Sequence, residues 1–167
     1  FCYFFTHSQF IYYYMKVGII GRGGREHAIS LALKKSKNIS KIFCFPGNAG
    51  TAKIAQNVNL NIENFNELKE YIISNKIDLI IVGPEKPLVD GIVDFLENSN
   101  IKVFGPNKIA SQLEGSKIFT KNLCKKYNIP TAKFGVFQDV SKAYNFTEEA
   151  LYPLVIKADG LAAGKGV

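Results

Sequence analysis

Two glycine-rich segments hold the residues best suited to chemistry. The first, Gly21-Arg22-Gly23-Gly24-Arg25-Glu26-His27, stands between an apolar run and a helix-like stretch. Glycines at a strand-to-helix junction let the backbone turn tightly and aim N–H groups at a ligand, and the helix N-terminus favours an anion. The spacing is not that of a dinucleotide fingerprint. The third glycine of G-x-G-x-x-G falls on Glu26, and no Asp or Glu occurs from 27 to 62, where a ribose-binding acid would sit. Taken alone, the loop also reads as a plain tight turn, with Glu26 a partner of the helix dipole and His27 a packed or capping residue.

The second segment lies near the end of the chain, Pro153-Leu154-Val155-Ile156-Lys157-Ala158-Asp159-Gly160-Leu161-Ala162-Ala163-Gly164-Lys165-Gly166-Val167. Its apolar residues suggest a strand over 153–157 ending in a buried Lys157, then a small flexible loop with a second lysine. P-loop spacing fails here, because Gly160 and Gly164 are too close and Gly166 replaces the Ser or Thr that would hold magnesium. A strand–loop pair folding its tip over nucleotide phosphates fits better. Backbone N–H groups and Lys165 would clamp the phosphates, and Lys157 would reach in as a point charge. A plain hairpin is the alternative.

Two further loops follow apolar runs: Pro46-Gly47-Asn48-Ala49-Gly50-Thr51, and Gly83-Pro84-Glu85-Lys86-Pro87 with Asp90-Gly91 behind it. Ligands of open α/β sheets bind outside the carboxyl ends of the strands. Three polar glycine-bearing loops at such ends exceed what turns need. Glu85 could receive an amine or ribose hydroxyls, or cap a helix beginning near Leu88.

The elements that must position these loops alternate. Strand-like runs are 16–20, 41–45, 77–82 and 102–104, with a short strand near 58–60. Helical stretches are 25–36, 64–75, 87–99, 107–114 and 116–127. Within 64–75, Phe65, Leu68, Ile72 and Ile73 share one face. Strands apolar on both faces with helices between them argue a parallel sheet covered on both sides. The pattern breaks at Ile129-Pro130-Thr131, and a new strand-like run appears at 133–137. A doubly wound α/β domain is expected over roughly 15–115, followed by the opening of another unit.

Composition bounds the function. The chain has 167 residues, 47% hydrophobic and 21% charged, which excludes disorder. Cys2, Cys44 and Cys124 form neither a disulfide framework nor a zinc spacing, and suit a reducing compartment. The net charge of +7 lies wholly within 16–62, dispersed through an apolar pattern, so a small anion such as a phosphate is a better partner than nucleic acid. Eight of the first 14 residues are aromatic, with neither the basic region of a signal peptide nor the length of a membrane span. Met15 is therefore expected to be the true start, with 1–14 a non-native or disordered extension. The chain is expected to be a fragment that stops inside a glycine loop.

Taken in order, Gly21-x-Gly-Gly-Arg-Glu-His27, Pro46-Gly-Asn-Ala-Gly-Thr51, Gly83-Pro-Glu85, Leu113-Glu-Gly-Ser-Lys117, Ile129-Pro-Thr-Ala132 and Lys157-Ala-Asp-Gly-Leu-Ala-Ala-Gly-Lys-Gly-Val167 carry a resemblance. From Met15 to Val167 the chain resembles the N-terminal part of the glycinamide ribonucleotide synthetases, the phosphoribosylamine–glycine ligases of the ATP-grasp superfamily. Arg22 departs from the small or amide residue expected there. The resemblance implies a doubly wound parallel-sheet pre-ATP-grasp domain over 15–115 and the truncated start of an ATP-grasp domain over 116–167. It implies a cytoplasmic enzyme of purine biosynthesis that ligates glycine to 5-phosphoribosylamine through a glycyl phosphate, consuming ATP, with no nucleic acid or membrane partner. Gly21, Gly23, Gly24, Arg25, Glu26, Pro46, Gly47, Asn48, Gly50, Thr51, Gly83, Pro84 and Glu85 would then help to hold phosphoribosylamine. Lys117, Lys157, Asp159, Gly160, Gly164, Lys165 and Gly166 would serve ATP. Ligands for Mg2+ or Mn2+ are expected beyond Val167, so the fragment alone is expected to be inactive. Another ATP-grasp carboxylate–amine ligase, a carboxylase subunit or a nucleotide-binding module without chemistry is the alternative.

Overall fold

The structure, a computed structural model, describes residues 14–162. The expected extension lies outside the described residues save for Tyr14, as do Gly164, Lys165 and Gly166. The described chain divides into two compact units, one of 14–84 with 95–105 and one of 85–94 with 106–162.

The first unit is built on five parallel strands: β1 (Met15–Gly21), β2 (Ile39–Pro46), β3 (Gln56–Asn57), β4 (Leu79–Val82) and β5 (Val103–Phe104). Their spatial order is β3-β2-β1-β4-β5. Both β1 and β2 become fully buried towards their carboxyl ends, as two-sided apolar runs require. Side chains alternate between the faces of the sheet. Ile42 and Cys44 thus pack with Ile19 against Ile29 and Leu33 of α1 (Gly24–Lys34). Phe43 and Phe45 point the other way and meet the edge of Tyr71 in α2 (Phe65–Ser74), with ring centroids 6.2 and 5.6 Å apart. Helices therefore cover both faces, as a doubly wound sheet demands.

Gly18 lets the α2 side close down. A Cβ there would lie 2.6 Å from Ile80 Cδ1 and 2.9 Å from Phe45 Cε2. The strand order reverses between β1 and β4, leaving a crevice outside their carboxyl ends.

The second unit is helical. It contains α3 (Glu85–Asp90), α5 (Lys108–Gly115), α6 (Lys117–Lys126) and α7 (Val140–Glu148), and α4 (Ile92–Glu97) runs from it into the first unit. Asn107 caps α5 by accepting from the Ala110 N–H at 2.8 Å, and Asp94 accepts from the Lys108 N–H at 2.7 Å. Val89 of α3 packs where a Cβ on Gly115 would stand.

Five expectations need correction. The helix expected over 87–99 starts at Glu85 and is split by Gly91, whose φ of +97° is left-handed. The short strand expected at 58–60 is β3 at 56–57. Beyond it the chain curls, with the Leu60 N–H donating to the Val58 carbonyl. No strand forms at 133–137. Lys121 instead donates to Thr131 Oγ1 and the Ala132 carbonyl and lies 5.4 Å from the centre of the Phe134 ring, so side-chain contacts from α6 hold that region. No strand forms at 153–157, where Val155 is 66% and Ile156 80% exposed and no described strand pairs with them. Lys157 is accordingly exposed rather than buried. Finally, α7 lies in a stretch where no element was expected.

Candidate functional site

In the first unit, three of the expected loops meet at the carboxyl ends of β1, β2 and β4. The loop after β1 is tied to its neighbours on both sides by the backbone. Gly47 N–H donates to the Gly21 carbonyl at 3.1 Å, and Gly83 N–H to the Ile20 carbonyl at 3.0 Å. Glu26 is only 4% exposed and lies between Gly21 and Gly83. A Cβ on Gly21, whose φ is +126°, would fall 2.6 Å from the Glu26 Cδ, and one on Gly83 would collide with Oε1. Both glycines are therefore required by the carboxylate between them. Glu26 Oε2 accepts from the Gly23 N–H at 2.5 Å, and Arg25 Nη1 donates to the Gly83 carbonyl at 2.5 Å. Adjacent residues of α1 thus span the crevice between β1 and β4.

The loop after β2 is closed on itself. Thr51, fully buried, receives the Asn48 N–H on its Oγ1 at 2.7 Å. Its hydroxyl lies 2.8 Å from Asn57 Oδ1 and 2.9 Å from the Asn48 carbonyl. Asn57, which the sequence reading missed, also donates from Nδ2 to the Asn48 carbonyl at 2.8 Å. Nothing in the local sequence marks it, because it comes from β3 rather than from the loop. Asn48 reaches across to the first loop, donating from Nδ2 to the carbonyls of Arg22 at 3.0 Å and Gly23 at 3.2 Å. His27 packs against Gly50, in keeping with a packed residue. Pro46 ends β2 and Pro84 follows Gly83, while Gly24 faces open space. Buried Cys44 shares a 3.4 Å contact with the Ser30 hydroxyl, and burial pushes its thiol up.

In the second unit, Asp159 and Lys117 organise the start of α6. Asp159 Oδ1 accepts from the Ile118 N–H at 3.1 Å, and Ser116 Oγ lies 3.0 Å from Oδ2 while accepting from the Phe119 N–H. The Ile118 N–H above all, aided by the Ser116 hydroxyl, holds the Asp159 carboxyl below the usual carboxylate range. Lys117 Nζ donates to the Gly160 carbonyl at 2.9 Å, so one short segment meets both groups. Ser116 was missed as a cap, although Ser before an apolar-periodic stretch is the ordinary start signal. Glu85, the first residue of α3, borders a groove of about 450 Å³ shared with Leu88, Pro106, Ala110, Ser111, Leu113 and Glu114.

The basic surplus does not converge on one place. Lys16 donates to the Asn75 carbonyl at the end of α2, and Lys34 ends α1 with Lys35 and Lys37 just beyond it, all at the amino ends of the strands. Arg22 and Arg25 stand at the carboxyl ends. Among the described residues no group of three or more His, Cys, Asp or Glu is placed to hold a metal ion, and no helix is long and apolar enough to cross a membrane.

A parallel sheet of this order, with polar glycine loops flanking the point where it reverses, defines a doubly wound α/β unit joined to a second unit in which Lys117 donates to the Gly160 carbonyl. The family model of the phosphoribosylglycinamide synthetase N domain matches residues 15–114, and that of the ATP-grasp (A) domain of the same synthetase matches 115–167. The chain belongs to the phosphoribosylglycinamide synthetase family.

Curated relatives include the phosphoribosylamine–glycine ligases of Caldanaerobacter subterraneus and Clostridium acetobutylicum, 53% and 50% identical over 92% of this chain. The chain spans 37% of the length of each. The crystal structure of the phosphoribosylamine–glycine ligase of Thermotoga maritima matches with a TM-score of 0.71 and 36% identity, over 91% of this chain and 35% of that one. The biotin carboxylase domain of the Hydrogenobacter thermophilus 2-oxoglutarate carboxylase matches with a TM-score of 0.69 at 21% identity, over 91% of this chain and 36% of that one, a likeness of fold alone.

Proposed function

We propose that this chain forms the N-terminal part of a phosphoribosylamine–glycine ligase, with 15–115 a substrate-binding domain and 116–167 the start of the ATP-grasp domain. The observation that carries this reading is the cross-tied loop cluster at the reversal point of the sheet, in a chain about half identical to ligases of that name. The cluster suits a phosphorylated sugar amine. It offers the N-terminus of α1 and Arg22 and Arg25 to the phosphate, and the glycines allow close approach of the backbone. The reaction is phosphoryl transfer from ATP to the carboxylate of glycine, then attack by the amine of 5-phosphoribosylamine with release of phosphate. Such a step needs fixed positive charge on phosphates and exclusion of water from a labile acyl phosphate.

Toward ATP, Lys117, Lys157 and the Gly160–Gly166 loop would supply charge and backbone donors. Lys117 already donates to the Gly160 carbonyl. Among the described residues no cluster fits a divalent ion. A cytoplasmic site of action accords with the biosynthetic names of the relatives. Division of the basic residues between opposite ends of the sheet argues against a nucleic-acid track.

Titration of the 15N-labelled chain with ribose 5-phosphate tests the binding reading. Gly23, Gly24 and Arg25 amides are expected to shift, and Arg25→Ala to weaken binding about tenfold, the loss of one charged contact. Shifts confined to the amino ends of the strands would overturn it.

A further inference from the structure

Asn48 carries a resemblance-based expectation of touching substrate, but its amide has no capacity left for one. Oδ1 accepts from the Gly50 N–H at 2.7 Å and the Thr51 N–H at 3.0 Å, and Nδ2 gives its two hydrogens to the carbonyls of Arg22 and Gly23. A primary amide has two donors and two acceptor sites, and all four are engaged. The flip of the amide is settled by the same bonds, since the reverse orientation would set an oxygen against two carbonyls.

The Arg22 carbonyl belongs to the peptide whose N–H is that of Gly23. In a trans peptide these two groups point in opposite directions. The carbonyl is held by Asn48, and the N–H is held from the far side by Glu26 Oε2 at 2.5 Å. One peptide plane is thus gripped at both ends, by residues from two different loops. The next peptide has its carbonyl on Asn48 and on the His27 N–H, so in a trans peptide the Gly24 N–H points away from Asn48.

We propose that Asn48 is a positioning residue and not a ligand contact. Together with Glu26 it sets the orientation of the Arg22–Gly23 and Gly23–Gly24 peptides, so that the first turn of α1 meets a phosphorylated ligand in a fixed geometry. The ligand class rests on the function proposed above. The grip on the peptide does not.

Two measurements on the whole chain separate these claims. Asn48→Asp keeps the acceptor for Gly50 and Thr51 but sets a carboxylate oxygen against the Arg22 and Gly23 carbonyls, while Asn48→Ala removes all four side-chain bonds and keeps the backbone ones. Amide hydrogen exchange at Gly23 is expected to rise at least about fivefold in Asn48→Asp, which loses both Nδ2 bonds to these peptides, although residue 48 does not touch that N–H. Unchanged exchange at Gly23 in a folded Asn48→Asp variant would overturn the proposal. In the second measurement, ribose 5-phosphate is titrated into wild type, Asn48→Ala, Glu26→Gln and the double variant. Because both residues act on one peptide, the double variant is expected to bind no more weakly than the weaker single. Losses that multiply would place Asn48 on the ligand and defeat the positioning role. A wild-type chain blind to ribose 5-phosphate would defeat the ligand class, and Gly23 exchange would still decide the grip.

Discussion

Arg25 and Glu26 are neighbours in the chain yet use their charge in opposite ways. Glu26 is buried and satisfies a backbone donor, whereas exposed Arg25 presents its guanidinium at the mouth of the crevice while anchoring one nitrogen on Gly83. In the second unit Asp159 has the buttressing role and Lys117 the presenting one. The folded state holds Asp159 below the ordinary value of about 3.9. Its contribution is therefore complete above that value and is lost as pH falls through the lowered folded value. Acidification below about pH 4 should release the Ile118 amide, read by NMR. Asp159→Asn should weaken the contact at neutral pH and remove the acid response. An Ile118 amide indifferent to acid in the wild type would refute the role given to Asp159. In a complete enzyme, Lys117→Met should weaken ATP binding by roughly 1.5–3 kcal/mol, the scale of a hydrogen bond to a charged group, with the fold retained. Unchanged ATP affinity by calorimetry would remove Lys117 from the phosphate site.

At the scale of elements, what the sequence made legible depended on whether a signal was local. Runs such as Lys16–Ile20 and Lys41–Phe45 are apolar on both faces and sit at the centre of the sheet, so pattern and structure agree. The run at 153–157 carries the same signal, but a strand also needs a neighbour, and composition cannot report that none of the described strands lies beside it. The break at Gly91 was visible as a glycine and was misjudged, because only the positive φ makes it a break. Three loops were legible as glycine-bearing turns after strands. Their cross-ties through Asn48, Asn57 and Arg25 were not, since each joins residues that the sheet brings together only after folding. Packing beneath the loops is exacting. Gly18→Val should cost roughly 1–3 kcal/mol by forcing Ile80 and Phe45 apart, and Leu68→Ala about 2–5 kcal/mol by opening a cavity under α2. Urea unfolding measures both, and a Gly18→Val protein as stable as wild type would contradict the close approach described at β1.

Across the whole molecule, the proposed function assigns one reaction to the two units: the first would hold the phosphorylated sugar amine, and the second, with Lys117 on the Gly160 carbonyl, would meet nucleotide phosphates. The family relationship makes the joint reading testable in one protein. Residues 15–167 can replace the corresponding segment of the Caldanaerobacter ligase, 53% identical to this chain, and the chimera can be assayed for glycinamide ribonucleotide formed from glycine, ATP and freshly generated 5-phosphoribosylamine. Product formation dependent on all three substrates is expected, reduced at least tenfold by Arg25→Ala through loss of a charged contact to the phosphorylated substrate. A folded chimera that makes no product, beside an active parent enzyme, would contradict it.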